Sequence, residues 1–470
     1  MFWYRVFLNE KKTDCRFLSQ TIYRWPFIMK EVLIHPEENK GLWFIIDTLK
    51  KNGFQAYIAG GAVRDFLLHK KPDDVDILTN ASIKEVTFLF QGQNVKTMGK
   101  TFPICCVNGI EISSGRAKFD LKSFPESDLG QRDFTINSMA LDPISKKIID
   151  PFNGKKDLED AVIRFTKDPE QRITEDPVRM IRACRFAAAI NGSFSLSSYT
   201  LILAFRDLLD TSVAKERIHG EVIKAMGLKK PSLFFAALKK TGLLSKIFPS
   251  LDRCHGLEGG PHHGETVFEH CMMVGDALPG NRPILRLAGF LHDVGKFDAA
   301  RQSDGSLTFA GHENDTRAVI QDLERLRFAK KDIDYIVSLI RIHMRPLTAQ
   351  SSPKAVRRLL ARLADRHLDF RDFMRMRIAD KKGNLAKNPY TIAEIRVRLK
   401  KVFDQMEGQT AFHMNHLMIN GNDIIRILGL EPGPDIGRIK QQLFEMVLDD
   451  PEVNHYNELK NRCSCLQIKK

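Results

Sequence analysis

Two aspartates one residue apart, Asp74 and Asp76, open an apolar alternation that reads Asp-Val-Asp-Ile-Leu. Residues two apart on a strand project from one face, so the two carboxylates point together. Side by side they repel, and a shared cation relieves the repulsion. Mg²⁺ suits the place, because it takes oxygen ligands and keeps waters for a phosphate substrate. In a two-metal site, ions roughly 4 Å apart let one activate an attacking hydroxyl while the other steadies a leaving pyrophosphate. Alone, an Asp-x-Asp pair also fits a solvated strand end. Its setting favours chemistry: residues 57–65, Tyr-Ile-Ala-Gly-Gly-Ala-Val-Arg-Asp, read as a strand, a tight turn at Gly60 and Gly61, and a helix carrying Arg64. Such a turn offers unpaired N–H groups and a positive helix end to a phosphate chain. Glu111, in the strand-like run 109–113, adds a third carboxylate if its face matches; otherwise it is a solvent-facing strand residue.

A second candidate group is Glu-Asp-Pro-Val-Arg-Met-Ile-Arg-Ala-Cys-Arg-Phe over 175–186. Asp176 is expected to cap a helix, with Pro177 at its first position. Arg179, Arg182 and Arg185 recur every three residues and form a stripe along that helix. A guanidinium fork and a carboxylate together can match the Watson–Crick edge of a base. A third group is rich in histidine: His270, His292-Asp293, His312, His343 and Asp380, with Lys296 close to the pair. These residue types can supply nitrogen and oxygen ligands to one or two transition metals that activate a bound water.

The elements that hold these groups must come from a long chain. Its 470 residues, 43% hydrophobic, can bury cores for three or four domains. Lysine and arginine exceed aspartate and glutamate by 72 to 58, a net charge of +14 that suits a polyanionic partner. The eight cysteines are scattered without a Cys-x-x-Cys, as expected of reduced thiols in a cytoplasm. Residues 1–28 read as a leader with neither a signal peptide nor a membrane span, and Met29 offers an alternative start. An amphipathic helix over 37–51, a helix over 83–90 and a strand over 102–107 are expected around the carboxylates. Lys354, Arg357, Arg358, Arg362 and Arg366 line one face of a helix that either meets RNA phosphates or faces solvent. Near the end, a helix from about residue 419 stops at Gly429 and a Pro/Gly turn leads into a last helix.

The segments Gly60-Gly-Ala-Val-Arg-Asp65 and Asp74-Val-Asp76 resemble the head of the bacterial class II tRNA nucleotidyltransferase and poly(A) polymerase family, whose heads are polymerase-β-like. The resemblance covers nearly everything after the leader. It implies an α+β fold: a nucleotidyltransferase head (29–165), an all-α neck with the reading helix (166–255), a phosphohydrolase domain (256–385) and a helical tail that binds tRNA (386–470). It implies that Arg132, Asp133 and Asn137 contact the sugar and phosphates of the nucleotide, and that Asp176 and Arg179 read its base. The turn-rich motif 150–157 is implied to be a structural brace. One departure is Gln131, where the family usually has an arginine.

The histidine set resembles the metal-binding phosphohydrolase superfamily named after the His-Asp pair. That resemblance implies His270, His292, Asp293 and Asp380 as core ligands of an ion such as Mn²⁺ or Ni²⁺, with His312 and His343 for a second ion or a phosphate. The implied function is addition of C, A or both from CTP and ATP to the 3′ end of tRNA, without a template and in the cytoplasm, with a phosphohydrolase activity beside it. The short interval 112–131 points toward an enzyme restricted to adding CC, and a poly(A) polymerase shares the head. A reading of another class makes the phosphohydrolase the main activity and the head an RNA-binding module.

Overall fold

The structure, a computed structural model, describes residues 39–98, 104–114, 123–260, 264–303, 306–345, 351–384 and 413–466. The leader expected over 1–28 and residues 115–122 of the interval 112–131 lie outside them. The chain divides into two compact units, the first ending at Leu208 and the second beginning at Leu209.

In the first unit, seven strands form one sheet in the order β3-β4-β5-β2-β1-β6-β7. They are β1 (Ala56–Ala59), β2 (Asp76–Thr79), β3 (Val95–Met98), β4 (Ile104–Val107), β5 (Ile110–Ser114), β6 (Ala140–Leu141) and β7 (Ile148–Ile149). β1 runs antiparallel to β2, and β2 runs parallel to β5. Helix α1 (Lys40–Lys51) buries Leu42, Ile45, Ile46 and Leu49, an i, i+3, i+4, i+7 stripe. That stripe packs on the sheet face carrying Ile58, Ile77 and Ile112. Ala59, Leu78 and Ala140 line the opposite face.

Helix α2 (Gly61–Leu67) follows β1 through Gly60, and α3 (Ile83–Leu89) starts in a capping box made by Ser82 and Glu85. Farther along come α4 (Pro169–Glu175) and α5 (Val178–Ile190). Val178, Met180, Ile181, Ala183, Cys184 and Phe186 of α5 are buried, while Arg179, Arg182 and Arg185 lie half-buried on its other side.

In the second unit, α6 (Lys215–Met226) precedes α7 (Val267–Ala277) and α8 (Pro283–Leu291). A Cβ at Gly275 would come within 2.4 Å of the Phe290 ring, and one at Gly289 within 2.4 Å of Leu278. Glycine at both places lets α7 and α8 approach closely. Buried Arg286 then closes the end of α6, donating to the carbonyls of Met226 at 2.8 Å and Leu228 at 2.6 Å. Next are α9 (Lys330–Ile342), α10 (Pro353–Asp365) and α11 (Phe370–Gly383), which packs along α7.

The described end of the chain is helical: α12 (Gly421–Leu428), α13 (Pro434–Asp449) and α14 (Tyr456–Ser464) share one core. Gly429 closes α12 at φ +62°, as its position demands. The helix expected to be last is followed by another, because Pro451 breaks α13 and the chain re-enters a helix at Tyr456. No helix among the described residues is long and apolar enough to cross a membrane.

Candidate functional site

In the first unit, Asp76 opens β2 opposite Ala59, the last residue of β1, so its carboxylate leaves the sheet beside the Gly60 turn. The parallel register Ile77↔Ile112 sets Glu111 abreast of Asp76 on the neighbouring strand. Both lie on the face away from α1, because Ile77 and Ile112 occupy the other. The strand face of Glu111 therefore matches. Partial burial raises the Glu111 carboxyl above its ordinary range, and the negative charges of Asp76 and Asp74 raise it further. A carboxyl raised by two neighbouring acids belongs to a donor set whose repulsion a divalent cation would relieve. Asp74 is not on the strand as expected. The ladder ends at the Ala59–Asp76 pair, where β1 turns off into Gly60, and exposed Asp74 sits in the irregular approach.

Gly60 has φ +75°, and a Cβ there would fall 2.4 Å from Arg132 Nη1. The turn therefore needs glycine both for its backbone and for the guanidinium above it. Arg64 Nη1 donates to Asn137 Oδ1 at 2.7 Å, and its Nε and Nη2 donate to Asp65 Oδ1. Asn137 Nδ2 donates to Asp133 Oδ1 at 3.0 Å. Asp133 Oδ2 in turn accepts from Arg182 Nε at 2.9 Å and Nη2 at 2.6 Å. One hydrogen-bonded chain thus runs from the turn through 132–137 to α5. Burial pushes Asp133 up, but the Arg182 charge and the bonds from Asn137, Arg182 and the Phe134 N–H outweigh it and hold the carboxyl below its ordinary range.

The brace expected over 150–157 bears on this segment. Asp157 Oδ2 accepts from Thr135 Oγ1 at 2.7 Å, and a Cβ at Gly154 would meet the Thr135 carbonyl at 2.1 Å.

The expected cap at Asp176 is corrected. Pro177 pushes the residue before it to an extended backbone, φ −156° and ψ 91°, so α4 stops at Glu175. Helix α5 is entered through Pro177 at the N-cap position, with no side-chain cap bond. Arg179 turns back and donates to the Arg172 carbonyl at 2.8 Å and to Glu175 Oε2 at 3.0 Å. At the Gln131 departure, buried Arg172 brings Nη1 within 3.4 Å of the Gln131 carbonyl and Oε1, so a guanidinium reaches that position from α4.

In the second unit, α7 contributes His270, the end of α8 contributes His292 and Asp293, and α11 contributes Asp380. His312 follows a turn at Gly311, and His343 ends α9. His270, His292 and Asp293 form one group of close ligand atoms; Asp293, His312 and His343 form another. All four histidines set Nδ1 against a main-chain carbonyl: Gly383 at 3.1 Å for His270, Gly289 at 2.8 Å for His292, Phe309 at 2.9 Å for His312 and Ile340 at 2.6 Å for His343. A carbonyl only accepts, so Nδ1 carries the hydrogen and each Nε2 turns toward the aspartates.

The Nε2 of His292 is buried without a hydrogen-bond partner, 3.3 Å from Asp293 Oδ2 but outside bonding geometry. An orphaned lone pair among Nε2 atoms and carboxylates fits a metal ion. Burial pulls the His270 imidazole down, but hydrogen bonds to Asp380 and Glu265 raise it to about 10, so a proton takes a cation's place there. Lys296 Nζ pairs with Asp293 Oδ2 at 2.7 Å.

Residues that the sequence did not flag also meet this centre. Buried Glu265 lies 3.3 Å from His270 Nδ1, and Arg377 donates to the His343 carbonyl at 2.7 Å and to Asp380 Oδ2 at 3.2 Å. Neither has a spacing relative to the His-Asp pair that marks it out.

Three positions of the basic face over 354–366 also find partners within the protein, while the side chains of Lys354 and Arg358 stay 48% and 41% exposed. Arg357 donates to the carbonyls of Leu448 and Asp449 at the end of α13, at 2.8 and 2.9 Å. Lys354 and Arg358 pair with the Asp449 carboxylate at 2.9 and 2.7 Å. A helix C-terminus attracts cations, and here three of them hold it.

The Poly A polymerase head domain family matches residues 56–164, the HD domain family matches 262–368, and the probable RNA and SrmB- binding site of polymerase A matches 199–254. The chain is 28% identical over 412 residues to the A-adding tRNA nucleotidyltransferase of Deinococcus radiodurans, covering 83% of this chain and 91% of that one. It is 32% identical over 315 residues to the multifunctional CCA protein of Paraburkholderia phytofirmans, covering 61% of this chain and 75% of the relative. Its fold is similar to that of the Bacillus stearothermophilus CCA-adding enzyme in complex with CTP, with a TM-score of 0.66, 22% identity, and coverage of 90% of this chain and 96% of that one.

Proposed function

Because the chain belongs to the family of CCA-adding tRNA nucleotidyltransferases, we propose that it transfers C, A or both from CTP and ATP to the 3′ end of tRNA, choosing the base without a template. The observation that carries this reading is the pairing of Asp76 with Glu111 on neighbouring strands beside the Gly60 turn. Mg²⁺ held by Asp74, Asp76 and Glu111 would acidify the attacking ribose hydroxyl and offset charge on departing pyrophosphate. The missing Cβ atoms of Gly60 and Gly61 let the Arg132 and Arg64 guanidinium groups lie close over the turn, where they would meet the phosphates. Asp133 and Asn137 hold Arg64 and Arg182 in fixed relation, so the phosphate end and the reading helix are set by one network. Asp176, in the extended link before that helix, and Arg179 on it present acceptors and donors to the base edge, with Arg182 and Arg185 farther along the stripe.

We divide the chain into a head (29–165), neck (166–255), HD-type domain (256–385) and tRNA-binding tail (386–470), working in the cytoplasm on tRNA. For the HD-type centre we propose a second, phosphohydrolase activity. A divalent transition ion such as Mn²⁺ or Ni²⁺, held by His270, His292, Asp293 and Asp380, would supply an activated water there. His312 and His343 serve a second ion or the phosphate, and Lys296 offsets phosphate charge. The uniform Nε2 presentation of the four histidines favours this activity.

The test offers purified protein a tRNA ending at the discriminator base, with labelled CTP and ATP separately and together. Growth by C-C-A, by C-C alone, by a single A on a C-C end, or by a long A tract identifies the product. No growth under any condition overturns the reading in favour of a hydrolase with an RNA-binding head.

A further inference from the structure

We propose that Phe186 is a positioning residue of the nucleotide site, an aromatic post against which Arg64, Arg182 and Arg185 are set. The inference rests on the reading of the head given above and names a residue which that reading does not use. The three guanidinium carbons lie 5.1, 5.6 and 4.3 Å from the Phe186 ring centroid, all within cation–π range. They come from different elements: Arg64 from α2 beside the Gly60 turn, Arg182 and Arg185 from α5. The ring is therefore where cations on the phosphate side and cations on the base side converge.

The post is itself fixed. Phe186 is 7% exposed, and its ring meets the Phe134 ring edge-on at 5.5 Å and 70°, while Phe134 packs on Phe165 at 5.1 Å. Three like charges so close repel one another. Asp65 offsets Arg64 and Asp133 offsets Arg182, and the negative ring face adds attraction for all three. A guanidinium laid against a ring keeps its N–H edge for other partners, so the contact positions an arginine without using up its hydrogen bonds. An aliphatic side chain of similar bulk would fill the space and leave the arginines to spread.

The test separates ring charge from ring volume. Phe186 is replaced by leucine, by tyrosine, and by phenylalanine with one, two or three ring fluorines, which weaken the ring face with little change of shape. Equilibrium CTP affinity is measured in the full-length chain, with KM and kcat for transfer to tRNA. The expected result is a stepwise rise in the CTP Kd with fluorine number, reaching about tenfold at three, the equivalent of about 1.4 kcal/mol of lost cation–π attraction. Kcat stays within about twofold, Phe186→Leu matches the trifluoro protein, and Phe186→Tyr matches wild type. A flat fluorine series overturns the positioning role: with a weak leucine variant the ring is only core volume, and with a normal one it has no role at the site. Wild-type protein that binds no CTP overturns the nucleotide reading itself, a failure distinct from a flat series in protein that does bind.

Discussion

Asp133→Asn removes one charge and leaves the side chain the same size, which makes it the sharpest probe of the network joining the Gly60 turn to α5. The Asp133 side chain is 10% exposed and accepts two bonds from Arg182, one from Asn137 and one from the Phe134 N–H. In the amide variant an NH₂ group faces the guanidinium, or the amide flips and loses Asn137. Breaking a buried pair from one side costs about 3–5 kcal/mol. Arg182 is 30% exposed, so water recovers part of its solvation, and the lower end, about 3 kcal/mol, is expected.

Hydrogen exchange reads this locally. The amides of 134–141 and α5 should exchange more than a hundredfold faster, since each 1.4 kcal/mol is about tenfold. Displacing Arg182 and Arg64 should also lower kcat/KM for CTP by about 10²-fold, the scale for a misplaced positioning group. Adding Arg182→Met removes the uncompensated charge and should restore at least about 1 kcal/mol of the lost protection. Exchange within threefold of wild type in Asp133→Asn, or a double variant worse than the sum of the singles, refutes the reasoning.

Other consequences follow from the two units. In metal-free protein, His270 is raised to about 10 from the ordinary 6.5, so its stabilisation is full below pH 6.5 and is lost as pH rises through about 10; chemical unfolding across that range should show the decline, and Mn²⁺ should reduce it. Gly383→Ala brings a Cβ within 2.7 Å of Val274 and 3.3 Å of the His270 ring, so metal content by elemental analysis should fall at least tenfold while CTP transfer persists. Asp449→Ala leaves Lys354 and Arg358 without their shared carboxylate; proteolysis of the tail should quicken by no more than about tenfold, since these partners are partly exposed, and KM for CTP should not move. Arg286→Met unties the end of α6 from three carbonyls and should cost about 3 kcal/mol in the second unit, seen as an earlier urea transition.

What was legible in the sequence was whatever local chemistry dictates. The Gly60 turn, the strands bearing Asp76 and Glu111, the arginine stripe on α5 and the histidine set all lie where pattern placed them, since a glycine turn, a period of two and a helical repeat are short-range rules. The misses are long-range. Asp74 lost its strand because the ladder ends where β1 turns away, a fact of pairing that its own sequence does not carry. Asp176 lost its cap because Pro177 drives the backbone before it into the extended region, and of two local rules the steric one prevailed. The basic face over 354–366 reads as turned to solvent or RNA, and its contact with the C-terminus of α13 spans 92 residues of chain, beyond any local pattern. Glu265, Arg377 and Phe186 were missed for a related reason: each acts through a partner on another element, and neither residue type nor spacing marks such a contact in advance.

Most directly at stake is whether the acids of the head, rather than the histidine centre, transfer the nucleotide. Labelled CTP incorporation into tRNA lacking its 3′ end should fall at least about a thousandfold in Asp76→Asn and stay within twofold of wild type in His292→Ala. Transfer that survives Asp76→Asn, or that disappears with His292→Ala alone, contradicts the account.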